Sequence, residues 1–260
     1  MIEHSPLRGQ KILVTRPVPQ ATPLCNAFER VGATVTVLPT IQIGPPTDWS
    51  HLVEAVRRLA SYDWVVVSSV NGVRGLAQIL ETEGCWEMFF KARIAAVGSV
   101  TADAVLALGC TECLVPEVFR GEALADAILE ATPQEEHSGM RVLLAQAEIA
   151  RHVLFERLSQ AGALVDVAPA YSTMINWSIQ DTLLDFIEIG APDWLTFTAT
   201  STVNAFVELV GPQTGGALVA AISPVTASAV VEVGLPVHAV AVEHTSTGLV
   251  EALSQAVSVS

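Results

Sequence analysis

The chain has 260 residues, with 13 Lys and Arg against 27 Asp and Glu, a formal net charge of −14. Such a balance repels a phosphate backbone and sets aside a general nucleic-acid or anionic-membrane binder. Charged residues make up 15% and hydrophobic ones 51%, so the chain is globular rather than disordered and long enough for one large domain or two modest ones.

In chain order, apolar runs of strand length alternate with segments of helical periodicity, the pattern of βαβ units and parallel sheet. Strands are expected at 11–15, 34–38, 64–68, 93–98, 113–115, 142–145, 164–168, 194–198, 218–222 and 237–240. The opening Met-Ile-Glu-His shows no apolar leader, and the longest uncharged stretch, Leu209 to Val231, is broken by Pro212, Gly215, Gly216 and Pro224. A cytoplasmic protein that does not cross a membrane is therefore expected.

The strands fall into two matching sets. Ile-Leu-Val-Thr at 12–15 and Val-Gly-Ala-Thr-Val-Thr-Val-Leu-Pro at 31–39 recur, offset by 130 residues, as Val-Leu-Leu-Ala at 142–145 and Ala-Gly-Ala-Leu-Val-Asp-Val-Ala-Pro at 161–169. Asp63-Trp64-Val-Val-Val-Ser68 recurs at the same offset from Asp193, while Val100-Thr101-Ala102 recurs as Val225-Thr226-Ala227 at an offset of 125. Register kept over such lengths is a repeat signal. It predicts an α/β chain of two similar five-stranded parallel-sheet, flavodoxin-like domains from an internal duplication, with a ligand cleft between them. A tandem split near residue 130 and an interleaved split both satisfy the repeat. Thr40–Pro46 and Ala170–Trp177, at equivalent places, read as two extended linkers, which suits an inserted domain.

Open parallel sheets bind ligands outside the carboxyl ends of their strands. Five strand-to-helix corners here share a polar chemistry: Thr15-Arg16-Pro17, Ser68-Ser69-Val70-Asn71, Gly98-Ser99-Val100-Thr101, Thr198-Ala199-Thr200-Ser201 and Ser223-Pro224-Val225-Thr226. Any one of them is explained as a helix N-cap. Together they present free N–H groups at the positive ends of helix dipoles, which suits an anionic ligand. Glycine-rich phosphate loops and a nucleophile elbow are absent, leaving no support for a nucleotide cofactor or for nucleophilic catalysis. Cys110-Thr-Glu-Cys113 has redox or metal spacing, but it follows a helix end at Leu108-Gly109 and has no second pair to complete a zinc set. The histidines at 4, 51, 137, 152, 238 and 244 are scattered. No metal and no cofactor are expected.

Several segments together resemble the uroporphyrinogen-III synthase family: Ile12-Leu-Val-Thr-Arg-Pro17, Asp63 to Val73, Ala96-Val-Gly-Ser-Val-Thr101, Val167-Ala-Pro-Ala-Tyr171 and Trp194 to Val203. The resemblance covers nearly the whole chain. It implies the interleaved split, with one domain from 1–40 plus 174–260 and the other from 41–173. It also implies a monomer whose small-molecule substrate, hydroxymethylbilane, is handed over by hydroxymethylbilane synthase and lies in the cleft with its carboxylates neutralised. The reaction implied is loss of the ring A hydroxyl, attack by the substituted carbon of ring D, and a spiro intermediate that recloses with ring D inverted. Without the enzyme, the bilane closes to the other isomer.

On the family's pattern, Tyr171, Thr101 and Thr226 are the candidate catalytic residues. Arg16, Ser68, Ser69, Asn71, Ser99, Thr198, Ala199, Thr200 and Ser201 are the candidate substrate-binding residues. Tyr171 is the first choice for chemistry, because a phenol keeps its proton at neutral pH and can donate it to a leaving hydroxide. Three positions depart from the family's usual residues: Ser172 where an arginine is common, Gln146-Ala147 in place of Arg-Gly, and Ser223 in place of a glycine. Charge would then fall to Arg16 and to Arg74, Arg120 or Arg151. The rival reading is a non-enzymatic two-domain clamp for a small polyanion, and a nucleotide-dependent transferase ranks last.

Overall fold

The computed structural model describes residues 6–190 and 192–259. His4 and the amino-terminal residues weighed as a leader lie outside them. The chain runs β1 (Lys11–Val14), α1 (Val18–Arg30), β2 (Thr34–Val37), β3 (Ile41–Gly44), α2 (Ser50–Arg57), β4 (Trp64–Val67), α3 (Val70–Glu83), α4 (Trp86–Phe89), β5 (Arg93–Ala96), α5 (Ser99–Leu106), α6 (Gly121–Glu130), β6 (Arg141–Ala147), α7 (Val153–Gln160), β7 (Leu164–Ile175), α8 (Gln180–Glu188), β8 (Trp194–Phe197), α9 (Thr200–Val210), β9 (Leu218–Ala221), α10 (Pro224–Glu232), β10 (Ala239–Val240) and α11 (Ser246–Val259). It divides into two compact units, residues 1–42 with 174–260 and residues 43–173, the division falling inside β3 and near the end of β7.

Each unit is an α/β layer structure around one five-stranded sheet. The first sheet has the order β10-β9-β8-β1-β2 and the second β3-β7-β6-β4-β5, and the strand pairs with a described register are parallel. Parallel strands buried on both faces read as continuous apolar runs, which is why Trp-Val-Val-Val of β4 and Trp-Leu-Thr-Phe of β8 show no polar alternation. In β4, Val65 and Val67 enter one core with Leu76 and Phe89, whereas Trp64 and Val66 enter the other with Leu124 and Leu158. The first unit repeats this arrangement with a core on each face of its sheet.

The residue offsets of the sequence reappear as pairing register. Ile12 pairs with Trp194 and Val142 with Trp64, an offset of 130 on each side. Lys11 pairs with Thr34 and Arg141 with Leu164 at the same offset. The Asp-Trp repeat has its own job. Asp193 accepts the Lys11 N–H at 2.7 Å and Asp63 accepts the Arg141 N–H at 2.7 Å, so each carboxylate fixes where its central strand meets the neighbour.

One expected strand is absent. Cys113–Val115 makes a single bridge, Leu114 to Ala95, because Pro116 follows at once and cannot donate to a ladder. Its counterpart β10 is a two-residue edge, and short edges resist pairing with other chains. The fifth strand of the second sheet is instead β3, from the segment expected to be a plain linker. The other expected linker is the end of β7, which runs to Ile175. Asn176 donates its backbone N–H to Thr40 O and its side chain to Pro39 O, both at 2.9 Å. Ser172 Oγ donates to Pro45 O at 2.7 Å. Both segments expected as linkers thus carry hydrogen bonds within their own units.

Candidate active site

All five corners fall at carboxyl ends of strands, each followed by a helix: β1 to α1, β4 to α3, β5 to α5, β8 to α9 and β9 to α10. The expectation that their hydroxyls serve as caps holds for two of them. Ser69 Oγ accepts the Gly72 N–H at 3.1 Å and Ser223 Oγ accepts the Thr226 N–H at 3.2 Å. The helices starting after Pro17, Gly98 and Ala199 have no side-chain cap. Among the described residues, the hydroxyls of Ser68, Ser99, Thr198, Thr200 and Ser201 are engaged in no hydrogen bond, and each of these residues keeps solvent exposure. Within the second unit Ser99, and within the first Thr200 and Ser201, set an accessible hydroxyl at an uncapped helix start, which is suited to hold an anion. Asn71 lies half-buried in the first turn of α3.

Tyr171 stands at the second unit's rim, on β7, where its ring packs partly against the core. Ser69 Oγ, whose lone pair takes the Gly72 N–H, donates to the Tyr171 phenolic oxygen at 3.0 Å. The phenol accepts in this bond and keeps its own proton to give. The approach depends on Gly75 of α3, since a Cβ there would lie 1.9 Å from Ala170 O, so only glycine lets this helix lie against the strand beside Tyr171. The sequence signal for Gly75 was present in the repeat, because its counterpart at an offset of 130 is Ala205, but the contact that demands glycine is visible only in the fold.

Thr101 and Thr226 are almost wholly buried, at 8% and 3% exposure. The Thr101 N–H donates to Gly98 O at 3.1 Å, and the Thr226 hydroxyl lies 3.1 Å from Ser223 Oγ. They sit in the first turns of α5 and α10, with Val100 and Val225 as the exposed neighbours. Arg16 follows β1, half-buried, with its Nε donating to Gln20 Oε1 at 3.4 Å. Burial pulls its pKa below the ordinary guanidinium value, with no carboxylate to offset the desolvation. A cation held in this way favours an incoming anion. Arg74, Arg120 and Arg151 likewise form no ion pair among the described residues, whereas Arg57, Arg58, Arg141 and Arg157 each do.

The position-172 serine ties β7 to Pro45 and is 7% exposed, so it holds backbone in place of supplying charge. Gln146 is buried near the end of β6. Cys110 and Cys113 lie at the opposite, amino end of the second sheet, where they line a cavity of 540 Å³ with Trp64 and Arg93. Burial raises both thiol pKa values, that of Cys113 to about 11, which removes the thiolate that redox or metal chemistry needs.

The model of uroporphyrinogen-III synthase HemD matches residues 23–251. The chain belongs to the uroporphyrinogen-III synthase family. It is 31% identical over 213 residues to the uroporphyrinogen-III synthase of Synechococcus elongatus, covering 82% of this chain and 79% of that one. It is 30% identical over 203 residues to the porphyrin biosynthesis protein HemD of Ruminiclostridium josui, covering 78% of this chain and 40% of that longer protein. Among solved structures, a uroporphyrinogen III synthase from Thermus thermophilus superposes with a TM-score of 0.67 at 18% identity, covering 97% of this chain and all of that one. The enzyme from Helicobacter pylori gives 0.62 at 19% identity, covering 95% and 99%. At these identities the structures speak for the fold, which is α/β with parallel sheets as expected. Membership makes the chain an enzyme of tetrapyrrole biosynthesis, a cyclising lyase, and disfavours the non-enzymatic clamp. Among the described residues no helix is long and apolar enough to cross a membrane.

Proposed function

We propose that the chain converts hydroxymethylbilane to uroporphyrinogen III with Tyr171 as the proton donor to the departing ring A hydroxyl. The observation that carries this reading is the Ser69 to Tyr171 bond: the serine fills the phenol's acceptor side, fixing the ring while leaving its proton for the substrate. A donor placed in this way contributes roughly 10²–10⁴-fold. The pyrrole nitrogens of the bilane stabilise the cation that follows, so the remaining task is geometric: the substituted carbon of ring D must reach that cation first, through a spiro intermediate.

The uncapped helix starts at Ser99 and Thr200, the accessible hydroxyls of Ser68, Ser99, Thr198, Thr200 and Ser201, the Ala199 corner, Asn71 and the Arg16 guanidinium grip the bilane carboxylates. Thr101 and Thr226, in the first turns of α5 and α10, are the further catalytic residues of this reading, holding carboxylates or pyrrole N–H groups of the bilane. An acidic protein can hold a polyanion because net charge sets the far field, whereas oriented N–H groups set the local one. The reading also includes two domains at 1–40 plus 174–260 and 41–173, arisen by internal duplication, for which the shared registers are the support. It further includes a cytoplasmic monomer that receives its substrate from hydroxymethylbilane synthase.

The test supplies freshly generated hydroxymethylbilane and separates uroporphyrin isomers I and III after oxidation. Dominant isomer III from the wild-type chain, with turnover lost in Tyr171→Phe, supports the assignment. Isomer III formed by Tyr171→Phe at the wild-type rate removes Tyr171 as the acid.

A further inference from the structure

The segment between the Leu114 bridge and α6 places an aromatic ring at the β5 to α5 corner. A Cβ added at Gly98 would meet Phe119 Cγ at 3.4 Å and Cδ2 at 3.5 Å, so one face of the ring rests directly on the residue that precedes α5. The residue is nevertheless 58% exposed, and Val100, in the first turn of α5, is 71% exposed. An aromatic ring held by its inner side and left bare on the other has no partner within its own unit.

Donors flank this apolar surface. On one side, the Ser99 and Val100 N–H groups that open α5 have no intrahelical acceptor, and no side chain caps them. On the other, Arg120 immediately precedes α6 and carries no acidic partner among the described residues. The complementary shape is a flat aromatic ring with carboxylates on its edge. Each pyrrole of the bilane has that form, with an acetate and a propionate arm.

We infer that Phe119 is a ring-positioning residue, the face against which one pyrrole of the bilane lies while its carboxylate arms reach the start of α5 and Arg120. The inference rests on the reading above, that this corner belongs to the substrate site. The first unit offers no equivalent. At an offset of 125, His244 stands for Phe119 and Thr245 for Arg120. Thr245 Oγ is already occupied in capping the Gly248 N–H at 3.0 Å, and Ser223 replaces the bare Gly98. A contact present on one side is what a reaction needs when it must treat one ring of four similar ones differently.

The test compares Phe119→Ala, Phe119→Leu and Phe119→Tyr with the wild type, using freshly generated hydroxymethylbilane and reading KM, kcat and the ratio of isomers III and I, with thermal unfolding of the whole chain as a control for the fold. Ring contacts of this kind predict a KM raised roughly threefold to tenfold in Phe119→Ala, with kcat changed less. The share of isomer I rises as spontaneous closure competes, and Phe119→Tyr returns both readouts to wild-type values. Phe119→Leu, which keeps apolar bulk without a flat face, falls between them and serves if the alanine variant does not fold. Wild-type KM and isomer ratio in Phe119→Ala or Phe119→Leu overturn the inference alone, as does an equal loss in Phe119→Tyr. A wild-type chain that yields isomer I only, at the rate seen without protein, overturns the site reading first.

Discussion

The corner after β4 and the corner after β8 share a register but not a chemistry. In the second unit, Ser69 caps α3 and donates to Tyr171. In the first, the equivalent positions are Ala199 and Ile41, where α9 begins without a side-chain cap and the neighbouring Thr40 uses its hydroxyl on Thr202 O at 3.1 Å. One backbone plan thus carries a serine–tyrosine hydrogen bond in one unit and apolar residues at the equivalent places in the other. A shared register fixes where the corner side chains stand, and the residue types at those places decide which hydrogen bonds form.

The sharpest way to break that comparison is to move the hydroxyls. Tyr171→Phe keeps the ring and its core contacts while deleting the proton, so turnover is expected to fall on the order of 10²-fold with the fold intact. Ile41→Leu, at the equivalent place, is expected to leave turnover within a factor of about two, since a volume-conserving apolar swap in a packed site is well tolerated. Comparable losses in both variants, measured as initial rates of isomer III formation, would make the two corners functionally alike.

A second contrast lies one turn into the helices. Gly75→Ala drives a Cβ into Ala170 O, a backbone atom that cannot rotate away, so α3 must shift from β7. The expected cost is about 1–3 kcal/mol of stability, with reduced turnover as Ser69 and Tyr171 separate. Ala205→Gly removes only a methyl group and some helix propensity, about 1 kcal/mol, and spares turnover. Urea denaturation of each variant, set beside its rate of isomer III formation, checks both halves. Equal stability loss with equal activity would mean that the glycine has no positional role.

The parallel strands and the polar corners were legible because buried parallel strands write themselves as apolar runs and because the segments recur at offsets of 130 and 125 residues. What was not legible depended on partners distant in sequence. Thr40–Pro46 reads as extended, but nothing in it says that Ile41–Gly44 finds a place in the second sheet. Cys113–Val115 reads as a strand, yet Pro116 and the edge position reduce it to one bridge. The corner hydroxyls were visible as a class. Their division into spent caps, Ser69 and Ser223, and accessible groups, such as Ser68 and Thr198, follows from helix entry angles that residue types do not encode. Burial of Thr101 and Thr226 was hidden for the same reason, since a threonine at a helix start serves equally well facing out or in.

A smaller contrast separates the next pair of corners. Ser223 caps α10 through the Thr226 N–H, whereas Gly98 leaves α5 without a side-chain cap. Ser223→Ala is therefore expected to cost about 1 kcal/mol, seen as a lowered denaturation midpoint. Gly98→Ser adds a cap worth a few tenths of a kcal/mol over glycine but brings a Cβ to 3.4 Å from the Phe119 ring. Near-neutral stability with a raised KM is the expected outcome, and an unchanged KM would mean that the bare glycine is incidental.

The smallest effect concerns alkaline pH. Burial, with a further contribution from Cys110, raises the Cys113 pKa from 9.0 to about 11, while the first unit has Leu235 and His238 at the matching places. A thiol whose folded pKa lies above its unfolded value binds its proton more tightly in the native state. Its stabilising contribution is complete below the unfolded pKa and is lost as pH rises through the folded one. The unfolding temperature of the wild type should accordingly decline across this alkaline window. A chain with both Cys110→Ala and Cys113→Ala should decline less over the same range, although its own midpoint at neutral pH is lower because two half-buried side chains have been trimmed. Parallel pH profiles for the two chains would show that these thiols play no part in the alkaline loss, and that the amino ends of the two sheets respond alike despite the difference in their residues.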